Sequence, residues 1–207
     1  MSEKGQKIMK NLWRKMDANL NEELNILELK GEVPSDVCKK IIDVVKDWEK
    51  GTVETPDREI KGERNIRKSD IFWSYDQWIF DYIWKYMDVY NEITGLRYDI
   101  SGVESIQITK YEKGDYYDFH FDGKGSHKNV VCEKVRKISM TIQLNEEYEG
   151  GEFQVAWCDE GKLLTETLGK SKGTIILFPS ILEHCITPVT SGTRYSLVAW
   201  FIGVPFK

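Results

Sequence analysis

The sequence predicts an α+β fold in which helices come first and strands follow, packed as one unit. Three observations predict it. Before Gly95, apolar residues recur at helical spacing in two windows; after it, short alternating segments separated by glycines run on to Phe206; and no repeat, low-complexity tract or linker divides the chain. With 207 residues, 41% hydrophobic and 30% charged, the chain suits one globular domain rather than two. Residues 1–100 are expected to form a helical and strand support region within that domain, and residues 101–207 its core.

The first 20 residues are polar and mixed in charge, with Ile8, Leu12, Trp13 and Met16 at helical spacing, a pattern that fits an amphipathic helix or a frayed end. Leu24 to Leu29 reads as a short strand. Pro34-Ser35-Asp36 then opens a helix through about Glu49, with Ser35 as N-cap and Val37, Ile41, Val44, Val45 and Trp48 on one stripe. Gly51 to Lys68 is rich in charge and turn residues, a loop with a strand near Ile66. Ser74-Tyr75-Asp76-Gln77 has the form of a capping box, opening a helix that ends at Gly95. Its stripe of Trp78, Ile79, Tyr82, Ile83, Tyr86, Tyr90 and Ile93 is assigned to the core.

In the strand region, Ser139 to Asn145 alternates polar and apolar side chains, as a strand with one dry face does. Glu146 to Glu152 supplies a turn, with Gly150-Gly151 as a hairpin element leading to a return strand of Phe153, Val155 and Trp157. A phosphate cradle would need a helix after the glycines. Gly173 to Ser180 is a buried strand closed by Pro179, and it places His184 at the start of another. From Thr193 to Phe201 a final strand sets Arg194, Ser196, Val198 and Trp200 on one face.

A net charge of −5 argues against general binding to nucleic acid or anionic membrane, which would call for a basic patch. The amino-terminal stretch lacks a signal-peptide hydrophobic core and no apolar run is long enough to span a bilayer, so a soluble, cytoplasmic protein is expected. Cys38, Cys132, Cys158 and Cys185 lack C-x-x-C spacing, which speaks for reduced thiols rather than a zinc knuckle. Cys185 is assigned a packing role.

Chemistry concentrates in Tyr111 to Asp122, Y-E-K-G-D-Y-Y-D-F-H-F-D. If Tyr116 to Asp122 is extended, His120 and Asp122 share a face and Phe121 turns away. An imidazole and a carboxylate on one face make half of a site for a divalent first-row metal, and His184 is the candidate third ligand.

The order Tyr111, Gly114, Tyr117, His120, Asp122, then Gln143-Leu144-Asn145, Gly150-Gly151-Glu152, His184 and Arg194 resembles the prolyl-4-hydroxylase-like branch of the Fe(II)/2-oxoglutarate-dependent dioxygenases. The resemblance implies a double-stranded β-helix, or jelly-roll, core with the helices near 35–49 and 74–94 packed on its outer face. It implies Fe(II) held by His120, Asp122 and His184, 2-oxoglutarate as co-substrate, and O2. Arg194 would take the distal carboxylate of 2-oxoglutarate, assisted by Tyr111 and Gln143, because an inward arginine is costly to bury unless it meets an anion. Collagen-type prolyl hydroxylases carry lysine at the position of Arg194, so the resemblance is to the arginine-bearing branch.

The implied reaction is hydroxylation of an unactivated C–H bond with release of succinate and CO2, on a prolyl residue of a peptide or protein. Two alternatives stand beside it: a hydroxylase of a free amino acid or small metabolite, and a non-catalytic jelly-roll binding module. Residues 123–137 follow the ligand pair as a lid or a solvated connector, and His127 within them is not needed for a three-ligand set. The 51–68 loop is a candidate opposite wall. Trp73, Trp157 and Trp200 are assigned to the core before the pocket. Sequence alone assigns neither substrate contacts nor oligomeric state.

Overall fold

The computed structural model describes residues 17–51, 66–123 and 134–205. The amphipathic pattern of residues 1–16, most of the charged loop, and the candidate lid with His127 and Cys132 lie outside the described residues. Among these residues the chain forms, in order, strands β1 (Ala18–Asn21) and β2 (Ile26–Leu29), helix α1 (Ser35–Asp43), and strands β3 (Glu49–Lys50), β4 (Arg67–Lys68) and β5 (Asp70–Ser74). Helix α2 (Gln77–Ile93) follows, then β6 (Ile100–Val103), β7 (Ile106–Tyr111), β8 (Tyr116–His120), β9 (Val135–Gln143) and β10 (Tyr148–Gly150). The remainder is β11 (Phe153–Asp159), β12 (Lys162–Thr167), β13 (Ile175–Pro179), β14 (Glu183–Ile186), β15 (Val189–Gly192) and β16 (Arg194–Gly203).

The strands form a nine-stranded sheet, β1-β2-β13-β9-β16-β7-β5-β3 with β6 on β16, and a five-stranded sheet, β12-β11-β14-β8-β4. A short β10–β15 pair stands apart from both. Every pairing among the described residues is antiparallel, as short connections favour.

Strand alternation sorts the apolar residues into two cores. Leu27, Leu29, Ile108, Ile138, Met140, Ile142, Leu197 and Phe201 share one cluster with Cys38 and Ile41 of α1 and Ile79, Ile83, Tyr86 and Tyr90 of α2. Ile26, Tyr111, Ile176 and Phe178 of the large sheet share the other with Phe153, Val155 and Ile186 of the small sheet. Each fully buried isoleucine of α2 contributes about 2 kcal/mol through loss of apolar contact with water.

Several local expectations are corrected. Residues 17–20 are not the end of a helix; they enter β1, which pairs with β2 around Asn25, a residue at φ 53°. Helix α1 stops at Asp43 rather than near Glu49, and β3 takes Glu49 into the large sheet. Its N-cap is Pro34, whose extended backbone (φ −56°, ψ 148°) leads into Ser35 as the first helical residue. Helix α2 begins at Gln77 without a capping box: Ser74 Oγ instead accepts the Asp76 N–H (3.2 Å) and donates to the Asp76 carboxylate (2.7 Å).

Gly150-Gly151 does not join a hairpin. β9 lies in the large sheet and β11 in the small one, so the chain crosses from one layer to the other here. Both glycines have positive φ (65° and 59°), a turn that L side chains rarely adopt. A Cβ on Gly151 would fall 2.8 Å from Val189 Cγ2 and 3.1 Å from Arg194 Cδ, so the bare backbone is also a wall against the arginine stem.

Candidate functional site

His120, Asp122 and His184 come together at the mouth of the space between the two sheets. His120 closes β8 and His184 sits in β14, and the two are register partners. Asp122 lies in the turn just past β8 rather than in the strand, yet its carboxylate returns to face both rings. His120 Nε2 is 3.8 Å from Asp122 Oδ1 and His184 Nε2 is 3.4 Å from Asp122 Oδ2.

The tautomers follow from the other ring nitrogens. His120 Nδ1 lies 2.8 Å from the Asp118 carbonyl and His184 Nδ1 lies 2.9 Å from the Leu182 carbonyl. A carbonyl only accepts, so each Nδ1 carries the proton and each Nε2 presents a lone pair. Two lone pairs and a carboxylate thus converge with no proton between them, a donor set that suits a cation. Burial, and then the neighbouring His184, push the His120 imidazole down to about 3 against the pull of Asp122. Burial alone would raise the Asp122 carboxyl, but His184, His120 and the Ser139 hydroxyl outweigh it and hold it below the usual range.

The rings are packed as well as bonded. Tyr117 stacks on His120 with centroids 3.5 Å apart and planes 13° apart, and Arg67 lies over the far face of Tyr117 at 4.8 Å. Strict alternation would turn Tyr117 to the side opposite His120, but a register shift between His184 and Ile186 brings both inward. Phe178 meets His184 edge-on at 4.8 Å.

Behind the cluster a cavity is lined by Tyr111, Tyr117, Phe178, Arg194, Ser196 and Trp200, among others. Arg194, Ser196, Val198 and Trp200 of β16 all reach it, as alternation predicts. Arg194 is 1% exposed. Its Nη1 donates to Ser196 Oγ (3.0 Å) and its Nη2 to Gln143 Oε1 (2.9 Å), and its carbon lies 5.3 Å from the centre of the Tyr111 ring. Among the described residues no carboxylate pairs with it. A guanidinium buried without a counter-ion is costly, and a bound anion removes the cost.

On β9 and β16, three buried donors have no acceptor among the described residues: Arg194 Nε, Gln143 Nε2 and Trp200 Nε1. Orphans that are all donors, beside a buried cation, fit a ligand rich in acceptors and negative charge. Trp200 lies 6.1 Å from Trp73, and the guanidinium of Arg136, held by Glu104 at 2.6 Å, lies over its ring at 3.9 Å. Trp200 is therefore both core and cavity wall, whereas Trp157 packs against the inter-sheet cluster. Cys185 points away from the cluster toward Gln154, and burial raises its thiol to about 11.

Sequence reasoning did not find Ser139, Arg67 or Arg136. Ser139, Thr141 and Gln143 are the polar half of the β9 alternation and are all buried, so that strand has no wet face.

Two facing antiparallel sheets hold a His-Asp-His cluster that could bind a metal ion, beside a buried arginine. Residues 106–202 match the family model of the 2OG-Fe(II) oxygenase superfamily, so this part of the chain is similar to that superfamily. The family implies Fe(II), 2-oxoglutarate and O2, and the donor set and orphaned donors described above fit them. A PKHD-type hydroxylase of Synechococcus sp. (strain CC9605) is 33% identical over 100 residues, 47% of this chain and 41% of that protein. A PKHD-type hydroxylase of Escherichia coli O6:K15:H31 is 33% identical over 101 residues, 45% of this chain and 40% of that protein. The chain thus spans about two-fifths of the length of these curated relatives.

The fold is similar to that of the viral collagen prolyl hydroxylase of Paramecium Bursaria Chlorella virus-1 in its 2OG complex, with TM-score 0.63 and 21% identity over 86% of this chain and 96% of that one. It is also similar to a Trichoplax adhaerens prolyl hydroxylase solved with a hypoxia inducible factor peptide fragment, with TM-score 0.62 and 16% identity over 97% of this chain and 93% of that one. At these identities the likeness is one of fold. No helix among the described residues is long and apolar enough to cross a membrane.

Proposed function

We propose that the chain is an Fe(II)- and 2-oxoglutarate-dependent dioxygenase that hydroxylates an unactivated C–H bond of a prolyl residue in a peptide or protein. In this reading the two sheets are a double-stranded β-helix core over residues 101–207, supported by residues 1–100 with their helices on its outer face, and the protein works in the cytoplasm. The observation that carries it is the convergence of two unprotonated Nε2 atoms on the Asp122 carboxylate, next to a guanidinium without a carboxylate partner among the described residues. Remove either half and a metal site or an anion site alone is left.

His120, Asp122 and His184 would hold the iron. Arg194 would grip the distal carboxylate of 2-oxoglutarate through a two-pronged charge-assisted pairing, with Tyr111 and Gln143 beside it. When bound, iron, 2-oxoglutarate and dioxygen supply the oxidising chemistry, which releases succinate and CO2 and hydroxylates the substrate. The chain's own residues place and enclose. Phe178 and Tyr117 exclude water from the histidines, and the Nδ1–H bonds keep both rings turned inward. None is asked to act as general acid or base.

A peptide substrate is favoured by the likeness in fold to prolyl hydroxylases, one of them solved with a peptide fragment. The test is aerobic turnover with iron and 2-oxoglutarate, following succinate, and mass spectrometry of proline-containing peptides against free proline. Gain of one oxygen atom on peptide prolines supports the proposal. Gain on free proline alone moves it to a small-molecule hydroxylase, and absence of iron-dependent succinate leaves a binding module.

A further inference from the structure

Asp122 is held from behind by two hydroxyls that the three-ligand set does not require. Ser139 Oγ donates to Asp122 Oδ2 at 2.7 Å, and Ser180 Oγ lies 2.9 Å from Ser139 Oγ. A carboxylate oxygen only accepts, so the Ser139 proton points at Asp122 and the Ser180 hydroxyl must be the donor to Ser139. Both serines are fully buried. Ser139 sits in register between Phe178 and Trp200, an apolar setting in which packing gives no reason for a hydroxyl. Main-chain bonds tie the same group together: the Gly123 N–H donates to the Ser180 carbonyl at 2.8 Å and the Ser180 N–H donates to the Lys137 carbonyl at 3.0 Å. The turn that carries Asp122 and the hydroxyls behind it are therefore one rigid piece.

We propose that Ser139, backed by Ser180, is a positioning pair that keeps Asp122 a one-oxygen ligand to a divalent first-row metal. The inference rests on the metal-site reading above. The hydroxyl occupies a lone pair of Oδ2, draws charge from it and fixes the carboxylate torsion, so Oδ1 is the stronger donor. Coordination number gives this its functional weight. A carboxylate gripping through both oxygens would take one further position on the metal, and a chelating co-substrate would then leave none for a third reactant. The serines thus set how many positions stay open.

The full chain is titrated with Mn(II) and with Co(II), and the visible absorption of bound Co(II) is recorded for wild type, Ser139→Ala, Ser139→Thr and Ser180→Ala. Ser139→Ala is expected to weaken Mn(II) binding by about tenfold or more and to change the Co(II) bands, whose intensity follows coordination number. Ser139→Thr, which keeps the hydroxyl, restores both, and Ser180→Ala moves both in the same direction by less. Circular dichroism of the metal-free proteins reports folding, and if Ser139→Ala does not fold, Ser180→Ala decides. Unaltered Mn(II) affinity and Co(II) bands in the folded variants overturn the positioning role while leaving the metal site standing. A wild-type chain that binds neither ion removes the metal site itself, and the proposal with it.

Discussion

Arg194 and Tyr111 are register partners across the antiparallel pair β16–β7, and the guanidinium carbon lies 5.3 Å from the centre of the phenol ring. The ring closes one side of the cation, Gln143 and Ser196 engage its two terminal nitrogens, and among the described residues the remaining donor Nε has no acceptor. No carboxylate among the described residues pairs with the charge, which suits it to meet an anionic ligand.

Arg194→Met should therefore raise the 2-oxoglutarate KM by about two orders of magnitude, from about 3 kcal/mol for truncating a buried charged partner. Mn(II) affinity should be unchanged. The same variant should be no less stable than wild type in the ligand-free state, because it replaces an uncompensated buried charge by an apolar chain. Steady-state kinetics and a urea melt check the two halves separately, and an unaltered KM places the anchor elsewhere.

His184→Ala should abolish iron-dependent turnover of 2-oxoglutarate and weaken Mn(II) binding steeply, because one of three donors is gone. The antiparallel frame does not depend on the ring, so far-UV circular dichroism should be retained. Normal turnover in this variant would remove His184 from the ligand set.

The metal-free fold should lose stability in acid. Buried, and beside His184, His120 has its imidazole pushed down to about 3, against about 6.5 for an unfolded histidine. Between those values the unfolded chain holds a proton that the folded chain refuses, so stability is fully present above about pH 6.5 and falls as the pH drops toward 3. The depressed Asp122 carboxyl adds a loss of the same sign at the acid end. Denaturant midpoints measured across this range on chelator-treated protein check the slope, and His120→Asn should flatten it.

Gly151→Ala should act on the co-substrate side alone. The new Cβ would sit 2.8 Å from Val189 Cγ2 and 3.1 Å from Arg194 Cδ, on a backbone at φ 59°. A destabilisation of about 1–3 kcal/mol is expected, with a raised 2-oxoglutarate KM and unchanged Mn(II) affinity. Loss of metal binding instead would show that the glycine turn supports the histidines.

Cys185 should resist alkylation in the native state, because burial raises its thiol to about 11 and thiolate is the reactive form. Peptide mapping after native alkylation reads this directly.

The convergence of His120, Asp122 and His184 was legible because these residues stand in strands or beside them. Alternation in β16 put Arg194 inward with Ser196, Val198 and Trp200, whereas Asp122 reaches the cluster from a turn rather than from the strand. What escaped was set by contacts between distant segments. The shift in register between β8 and β14 turns Tyr117 toward His120, and nothing local in Y-Y-D-F-H announces it. The polar half of β9 looked like a solvated face, because a strand buried on both sides with polar residues on one is told from a half-exposed one only when its second sheet is in place. The two glycines after Glu149 carried the right punctuation but not the direction, since a hairpin and a crossing between layers use the same backbone freedom.

The Nδ1 hydrogen bonds of the two histidine rings are accepted by main-chain carbonyls, those of Asp118 and Leu182, and not by side chains. Every residue type brings a carbonyl, so exchange of the amino acid at 118 or 182 leaves the acceptor in place. The handedness of proton and lone pair on each imidazole is thereby inherited from the path of the backbone, and the walls around it are free to change for a different guest.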